Sequence, residues 1–348
     1  MSTERVAVAS LGGTITMTSA PDGTAALPVL TATDLVSAVP GLSGAAEVTA
    51  HTIATIPGAS LPVPTVLEAL SWARRAVDDG ARGAVIVQGT DTIDESAYLM
   101  DLYWDRDAPL VVTGAMRTAR TAGADGPANI LAATRVAVSP ASRARGVLVV
   151  MNDEIHAASR VRKTRSSGLN AFRSTAFGPL GYLEETAVVY GNSIRRIQPL
   201  PAPGTNRHPR VALIGTHLDD DGALLDLVVA SDYQGAVVAA FGAGHVSEQL
   251  AQAASRAVAA SKPVVLASRT GAGTTFTRTY GFAGSESDLL RRGAVLAGWL
   301  DATKARLLLA CLISASSSMQ EIESEFRRRG QPSAPVLRAP AERDREHA

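Results

Sequence analysis

Short apolar runs recur along the chain, and each is followed by glycine or a polar turn. Most show no alternation of apolar and polar residues, so both faces of these predicted strands are buried. They are Arg5–Ser10, Gly83–Gln88, Leu110–Thr113, Gly146–Met151, Arg210–Gly215, Gly235–Ala240 and Pro263–Ala267. Helical periodicity lies between them, for example in Thr65–Val77, Thr92–Tyr103, Ser247–Ala260 and Ala302–Ile313. This alternation predicts an α/β fold with a doubly wound, mostly parallel sheet.

The chain is long enough for two domains, with 348 residues. Ile194–Pro209 contains four prolines and no periodic apolar pattern, which is typical of a linker. We therefore predict a larger N-terminal domain over residues 1–193, a linker over 194–209 and a smaller α/β C-terminal domain over 210–329. Residues 330–348 are rich in proline, arginine and glutamate, and we expect a polar tail there.

Composition restricts the class of function. Lys plus Arg and Asp plus Glu both number 33, so the net charge is zero and nothing indicates a nucleic-acid or anionic-membrane partner. No uncharged apolar run reaches the roughly 18 residues that a membrane span needs. The N-terminal residues lack the pattern of a signal peptide. Cys311 is the single cysteine, so an internal disulfide is excluded. We expect a cytoplasmic protein.

Two predicted strands end in glycine followed by threonine. Thr90 and Asp91 follow Gly89, and Thr14 follows two glycines after the first strand. In open α/β sheets ligands bind beyond the carboxyl ends of the strands, where helix N-terminal amides favour negative charge. Thr92 and Glu95 fit a capping box, which predicts a structural role for Thr92. From this segment alone, a local role in the turn is the favoured interpretation of Thr90 and Asp91.

Two more strand ends carry polar residues. Thr113–Arg117 is followed by Asp125–Gly126–Pro127, which predicts the start of a helix at Gly126. Met151–Asp153 leads to a basic loop, for which a solvated surface is the favoured interpretation when it is taken alone. Its basic residues are Arg160, Arg162, Lys163 and Arg165. Neither the dinucleotide-binding pattern G-x-G-x-x-G nor the phosphate-loop pattern G-x-x-x-x-G-K-[ST] occurs in the chain.

Taken together and in this order, the segments resemble the bacterial L-asparaginase family. The resemblance rests on LGGTITM, QGTDTIDE, TGAMR with ADGPANI, MNDEI with RKT, and FGPLGY, followed in the C-terminal half by FGAGH, SRTGAG and KARLLL. It extends over nearly the whole chain up to Arg329. It implies a large doubly wound N-terminal domain, a small C-terminal domain, hydrolysis of L-asparagine to L-aspartate and ammonia, and no metal or organic cofactor.

The resemblance also assigns roles to particular residues. Thr14 matches the family's nucleophile or acid–base threonine, and Thr90, Asp91 and Lys163 match its second catalytic group. Ser60 matches the serine that binds the substrate's α-carboxylate, while Thr90 and Asp91 also contact the substrate. Glu286 lies near the acid that reaches the substrate of the partner subunit. The implied assembly is a homotetramer, a dimer of dimers in which a partner subunit completes each site.

Departures from the family pattern leave alternatives open. Ser19–Leu30, the predicted mobile lid, lacks the usual tyrosine, so the group that activates Thr14 is open, as is the threonine that attacks first. Gln88 replaces a common histidine, and His245 lies near an asparagine of some members. The alternatives are a broader glutaminase–asparaginase, the amidase subunit of a tRNA-dependent amidotransferase, and a non-catalytic amino-acid sensor. The amidotransferase subunit would need a partner and usually an extra N-terminal domain, which we do not expect in this protein.

Overall fold

The computed structural model describes residues 4–19, 26–202 and 208–332. The strands of the N-terminal part are β1 (Arg5–Ser10), β2 (Met17–Ser19), β3 (Ala26–Pro28), β4 (Glu47–Thr52), β5 (Gly83–Val87), β6 (Leu110–Thr113), β7 (Val147–Met151), β8 (Glu154–Ala157), β9 (Arg162–Lys163), β10 (Phe172–Arg173), β11 (Gly181–Glu184) and β12 (Ala187–Tyr190). Its helices are α1 (Ala32–Ser37), α2 (Leu42–Ala45), α3 (Val63–Asp78), α4 (Ile93–Tyr103) and α5 (Gly126–Val138). Short 3₁₀ turns cover Thr14–Thr16, Gly58–Ser60, Thr90–Thr92 and Pro140–Ser142.

The large sheet has the strand order β12-β11-β8-β7-β6-β5-β1-β4. Strands β4, β1, β5, β6 and β7 are parallel, and β8, β11 and β12 add an antiparallel edge. Every residue of β5, β6 and β7 is buried, because helices cover both faces: α3 and α4 on one side, and α1, α2 and α5 on the other. The carboxyl ends of the parallel strands therefore meet at one edge of a rigid sheet.

The C-terminal part contains β13 (Val211–Gly215), α6 (Ala223–Val229), β14 (Gly235–Ala240), α7 (Glu248–Ala259), β15 (Val264–Ser268), α8 (Glu286–Arg291), β16 (Val295–Leu296), α9 (Ala302–Ser314) and α10 (Met319–Arg329). Its four strands form a parallel sheet in chain order. Helix α9 packs on this sheet and against α4, so its leucines belong to the same core as the large sheet. Cys311 is buried in that core.

The predicted fold class is confirmed: a large, mainly parallel sheet with helices on both faces and a smaller parallel sheet. The sequence analysis missed β4, β8, β11 and β12. Strand β4 alternates exposed and half-buried positions along its length, as an edge strand does, and so lacks the continuous apolar signal of the central strands. The predicted domain boundaries stay predictions.

Three predicted segments reach beyond the described residues. At the predicted lid, Ser19–Leu30, the strand Met17–Ser19 leads into the segment and pairs with Ala26–Pro28 in an antiparallel ribbon, while residues 20–25 lie outside the described residues. In the predicted linker, the Leu200 N–H donates to the Leu102 carbonyl at 2.7 Å, so this part packs on the N-terminal core. Residues 203–207 of the linker and 333–348 of the tail also lie outside the described residues. Across the described ranges, no helix is both long and apolar enough to cross a membrane.

Candidate active site

Three glycines in backbone contact bring three turns together at the carboxyl edge of the large sheet. A Cβ at Gly13 would overlap the backbone of Gly89, and one at Gly89 would lie 2.8 Å from the Cα of Gly58. Gly13 has φ +89° and ψ −172°, a conformation that only glycine adopts readily. These contacts place the turns that carry Thr14, Ser60 and Thr90 beside one another.

A lysine joins Thr90 and Asp91 in one hydrogen-bonded group. Lys163 Nζ donates to Thr90 Oγ1 at 3.0 Å and to Asp91 Oδ1 at 2.8 Å. Thr90 is only 4% exposed, whereas the Asp91 side chain is 61% exposed and presents its carboxylate to the solvent side of the turn. The group therefore combines a buried hydroxyl, a cation that contacts it and a carboxylate that an incoming ligand can reach.

The backbone of Lys163 is fixed from both sides. Its N–H donates to Asp94 Oδ2 at 3.1 Å, and it pairs with Phe172 in the β9–β10 ribbon. Two residues earlier, the Val161 carbonyl accepts a hydrogen bond of 2.6 Å from Lys304 Nζ in the C-terminal part.

The Lys304 ammonium is fully buried and also contacts Asp301 Oδ2 at 2.7 Å. Burial alone would raise the pKa of the Asp301 carboxyl. The nearby Lys304 charge and its hydrogen bonds outweigh this effect and lower the pKa to about 2. The Asp301 carboxyl therefore stays ionised over a wide pH range, and its pair with Lys304 supports the strand that carries Lys163 from the second domain.

The predicted capping box at Thr92 and Glu95 is wrong. Thr92 has φ −130° and ψ 16°, and its side chain makes no capping hydrogen bond. Its hydroxyl instead donates to the Gly58 carbonyl at 3.0 Å, while Glu95 lies 3.4 Å from Arg306 in the C-terminal part. The 3₁₀ turn Thr90–Thr92 precedes the helix and turns the Thr92 side chain toward the neighbouring turn. Thr92 therefore has a structural role, but one that joins two turns of the site.

The strand end at Thr113–Arg117 packs against the Thr90 turn. A Cβ at Gly114 would lie 2.5 Å from the Gln88 carbonyl, so this turn packs against the start of the Thr90 turn. Asp125 accepts hydrogen bonds from the N–H groups of Met116 and Arg117, each at 2.9 Å. Helix α5 begins at Gly126, as predicted.

Thr14 and Ser60 both lie on 3₁₀ turns next to the Thr90 turn. Thr14 is partly buried and Ser60 is exposed. Thr14 starts the turn Thr14–Thr16, in which the Thr16 hydroxyl, rather than that of Thr14, donates to the Gly13 carbonyl at 2.8 Å. The Thr14 side chain is therefore not used to satisfy its own turn.

Glu286 has a different environment from the other predicted site residues. It starts α8 in the C-terminal part, is fully buried, and accepts the N–H groups of Thr279 and Tyr280 at 2.7 Å each. Its second oxygen lies 3.1 Å from His245 Nε2. Burial would raise the pKa of this carboxyl, but the backbone hydrogen bonds outweigh burial and lower it. Its partners among the described residues all belong to the C-terminal part, so its contact with a substrate stays a prediction.

The basic loop is only partly a solvated surface. Arg165 is exposed, but Arg160 is half-buried with its guanidinium 4.4 Å from the centre of the Phe177 ring. The Lys163 side chain is 17% exposed. The interpretation as a solvated surface is therefore wrong for Arg160, which packs toward the domain interface, and for Lys163, which packs toward the strand end.

Comparison with known proteins identifies the family. The Asparaginase, N-terminal model matches residues 5–195, and the Glutaminase/Asparaginase C-terminal domain model matches residues 210–326. The chain belongs to the L-asparaginase family. The matched ranges include all of the predicted site residues of this asparaginase-family chain.

Individual relatives agree with this assignment. A protein named Probable L-asparaginase from Deinococcus radiodurans is 33% identical over 92% of the chain and 97% of the relative. L-asparaginase 2 of Escherichia coli (strain K12) is 32% identical over 84% of the chain and 83% of the relative. The solved structure of a probable cytoplasmic L-asparaginase from Campylobacter jejuni has a TM-score of 0.84 at 28% identity, covering 93% of this chain and 99% of that one.

The sequence analysis missed residues that hold the site together. Gly58, Asp94 and the Asp301–Lys304 pair all make contacts across the fold. The acidic side chain of Asp94 in the first turn of a helix looks like an ordinary helix-start residue. No signal in the sequence distinguishes it from one, because its partner is 69 positions away.

Proposed function

We propose that the protein hydrolyses the side-chain amide of L-asparagine to L-aspartate and ammonia. The observation that carries this proposal is the hydrogen-bonded group of Lys163, Thr90 and Asp91 beside the Thr14 turn. Amide hydrolysis needs a nucleophile, a proton-transfer group and stabilisation of the developing oxyanion. The relatives named L-asparaginase support the same reaction.

The exposed side chains of the site suit the two charged ends of an amino acid. Asp91 can accept a hydrogen bond from the α-ammonium group, and Ser60 can donate one to the α-carboxylate. A hydrogen bond to a charged group contributes roughly 1.5–3 kcal/mol, which is enough to select an amino acid over a simple amide. The amide group then faces the turns that carry Thr14 and Thr90.

The proposed reaction has two steps. A threonine hydroxyl, Thr14 in the form that the family resemblance implies, adds to the amide carbon, and its proton passes to the leaving nitrogen. Loss of ammonia leaves a β-aspartyl ester on the threonine, and water then hydrolyses this ester.

Lys163 has a defined electrostatic role in this scheme. A charged ammonium has three donors and no acceptor, so in that form it stabilises negative charge on Thr90 Oγ1 or on a water held there. In this scheme another group removes the threonine proton. Asp91 Oδ1, at 2.8 Å from Nζ, accepts a second hydrogen bond from the same lysine.

Ammonia release tests the proposed activity directly. The full chain is mixed with L-asparagine, D-asparagine or L-glutamine, and ammonia is measured at steady state. We expect turnover of L-asparagine. Saturable binding of L-asparagine by calorimetry with no ammonia released would instead make the protein a non-catalytic sensor.

We infer in addition that the protein works as a dimer of dimers in which a second copy completes each site. Support comes from a surface around Glu286, where Tyr280 and Phe282 are 44% and 50% exposed. The rings of Tyr280 and Phe282 both contact His245 edge-on, at 4.8 and 5.1 Å between centres. Such an exposed aromatic cluster is typical of an interface. Glu286 fixes the Thr279–Tyr280 backbone within it, and we propose that it acts on the substrate of the partner copy.

Sedimentation combined with activity measurement tests the shared site. Activity per chain should fall as the protein is diluted from tetramer to monomer, while circular dichroism shows that the fold persists. A fully active monomer would refute the shared site without affecting the proposed reaction.

We also propose a cytoplasmic location, which the name of the Campylobacter jejuni protein supports. Cell fractionation tests this point.

A further inference from the structure

A cavity lies between the two domains, away from the Thr90 turn. Its wall includes Tyr98 of α4, Arg145, Arg160 and Arg162 from the N-terminal part, and Trp299 and Arg329 from the C-terminal part. Its volume is about 100 Å³, which exceeds the roughly 10–15 Å³ that a single water molecule needs and is below the roughly 300–1,000 Å³ of ordinary ligand pockets. That space suits a small ion or a few waters rather than a nucleotide or another drug-sized ligand.

Polar groups without partners line this cavity. The Tyr98 hydroxyl is buried, in a residue that is 1% exposed, and has no hydrogen-bond partner within the described part of the chain. A buried hydroxyl that lacks a partner is costly, so each such group calls for an explanation. Tyr98 lies on the helix that follows the Thr90 turn and belongs to the wall of the cavity, so a ligand bound against this wall would supply the missing hydrogen bond.

Two arginines at the cavity also lack a carboxylate partner among the described residues. Arg160 stacks on Phe177 at 4.4 Å and makes no ion pair there, and burial lowers the pKa of its guanidinium group. Arg145 stacks on Tyr190 at 3.8 Å and donates only to the Ala141 carbonyl, at 2.7 Å. Stacking on a ring orients a guanidinium group but does not neutralise it. Both cations can therefore gain from a bound anion.

Several other charges of the wall already have partners. Arg196 pairs with Asp107, and Arg329 pairs with Glu325. Asp301 is engaged by Lys304. Asp101 is the carboxyl without an ion pair in the described wall, where its Oδ1 accepts the Val147 N–H at 2.8 Å. Burial raises the pKa of Asp101, which reduces the negative charge that it contributes. The charge that is left uncompensated is positive.

We propose that this interdomain cavity binds a small oxyanion of the phosphate class through the guanidinium groups of Arg145 and Arg160 and the hydroxyl of Tyr98. Planar guanidinium groups match the oxygen geometry of such an anion, and a phenol adds a neutral donor. The occupant would contact both domains, because Trp299 and Arg329 close the same cavity from the C-terminal side.

Calorimetric titration with inorganic phosphate tests the site, in a chloride buffer of matched ionic strength. We expect saturable binding of one phosphate per chain. Arg160→Gln should weaken it at least about 10-fold, the lower end for a hydrogen bond to a charged group. Tyr98→Phe should weaken it by about 2- to 10-fold, because it removes one neutral donor and keeps the ring. A second titration uses glycerol phosphate in place of inorganic phosphate. The small volume of the cavity predicts that inorganic phosphate binds more tightly than glycerol phosphate.

Matched variants locate the binding. Arg256→Gln removes an arginine that pairs with Asp226 on the surface, and Tyr182→Phe removes an exposed phenol; both should bind phosphate as the wild type does. Thr90→Val should also leave phosphate binding intact. Loss of binding in Thr90→Val but not in Arg160→Gln would place the anion in the candidate active site and overturn the proposal. The proposal would also be overturned if a titration with chloride gave the same binding as a titration with phosphate.

Discussion

Replacing Gly13 by alanine tests whether the contact between turns builds the site. Gly13 has φ +89° and ψ −172°, and an added Cβ would overlap the Gly89 backbone. The methyl group cannot be accommodated by a side-chain rotation, because its neighbour is main chain. Either the Thr14 turn or the Thr90 turn must therefore move.

The expected cost has two parts that a second variant separates. Gly41 also has a positive φ, +75°, but a Cβ there would meet nothing within 4 Å. Gly41→Ala should therefore cost only backbone strain, about 1–2 kcal/mol. Gly13→Ala has a backbone strain of about 1–3 kcal/mol at its own φ and ψ, and the overlap adds about 1–3 kcal/mol, so its total should be roughly 2–6 kcal/mol. A displacement near 1 Å in an active site costs about 100-fold in rate.

The measurements are unfolding by denaturant at fixed protein concentration and steady-state ammonia release. Gly13→Ala should lower the free energy of unfolding more than Gly41→Ala does, and should lower kcat by about 100-fold. Gly41→Ala should keep wild-type kcat. If the two variants lose equal stability and both stay active, the contact between Gly13 and Gly89 does not position the catalytic turns.

Three further predictions follow from the site. Thr90→Val should keep the fold and lower kcat at least about 100-fold, the scale of one acid–base group; activity within a few-fold of wild type would remove Thr90 from the mechanism. Asparagine should exceed glutamine in kcat/KM at least about 10-fold, because a rigid sheet edge fixes the distance from Asp91 to Thr14; equal values would favour the glutaminase–asparaginase alternative. The pKa of Asp301 is lowered to about 2, so its ionised carboxylate stabilises the fold above pH 4. This stabilisation is lost as the pH falls through 2. In acid denaturation, the stability gap between wild type and Asp301→Asn should narrow by about 2 kcal/mol between pH 4 and 2, and a constant gap would contradict the ion pair.

The fold could be predicted where burial leaves a continuous apolar signal. Strands β1, β6 and β14 begin and end where the apolar runs do. The antiparallel edge could not be predicted in the same way. Strand β12 alternates exposed and half-buried positions, and its pairing with β11 depends on a neighbour rather than on its own composition. Thr92 shows the same limit at a single residue, because its hydroxyl prefers the Gly58 carbonyl to its own helix.

The members of the candidate site were accessible from the sequence, but their arrangement was not. Thr14 and Thr90 each follow a strand and a glycine, a pattern that is visible in the amino-acid sequence. Their proximity, however, depends on the sheet order, in which β1 lies between β4 and β5. The same order places the segment after β4 along the end of β1, where the Ile56 N–H donates to the Leu11 carbonyl at 2.9 Å. This segment then reaches Gly58.

Gly58 illustrates why backbone contacts escape sequence reasoning. It lies in a short stretch between prolines with no strand signal, and its φ carries no requirement for glycine. Its constraint comes entirely from the Gly89 backbone, which lies 3.2 Å from the position of a Cβ at Gly58. A Cβ there would require the Ser60 turn and the Thr90 turn to shift apart by a few tenths of an ångström, and with them the groups proposed to hold the substrate's carboxylate and ammonium. Three residues that have no side chain therefore set the spacing of the candidate site, and the residues proposed to carry its chemistry follow them in the chain.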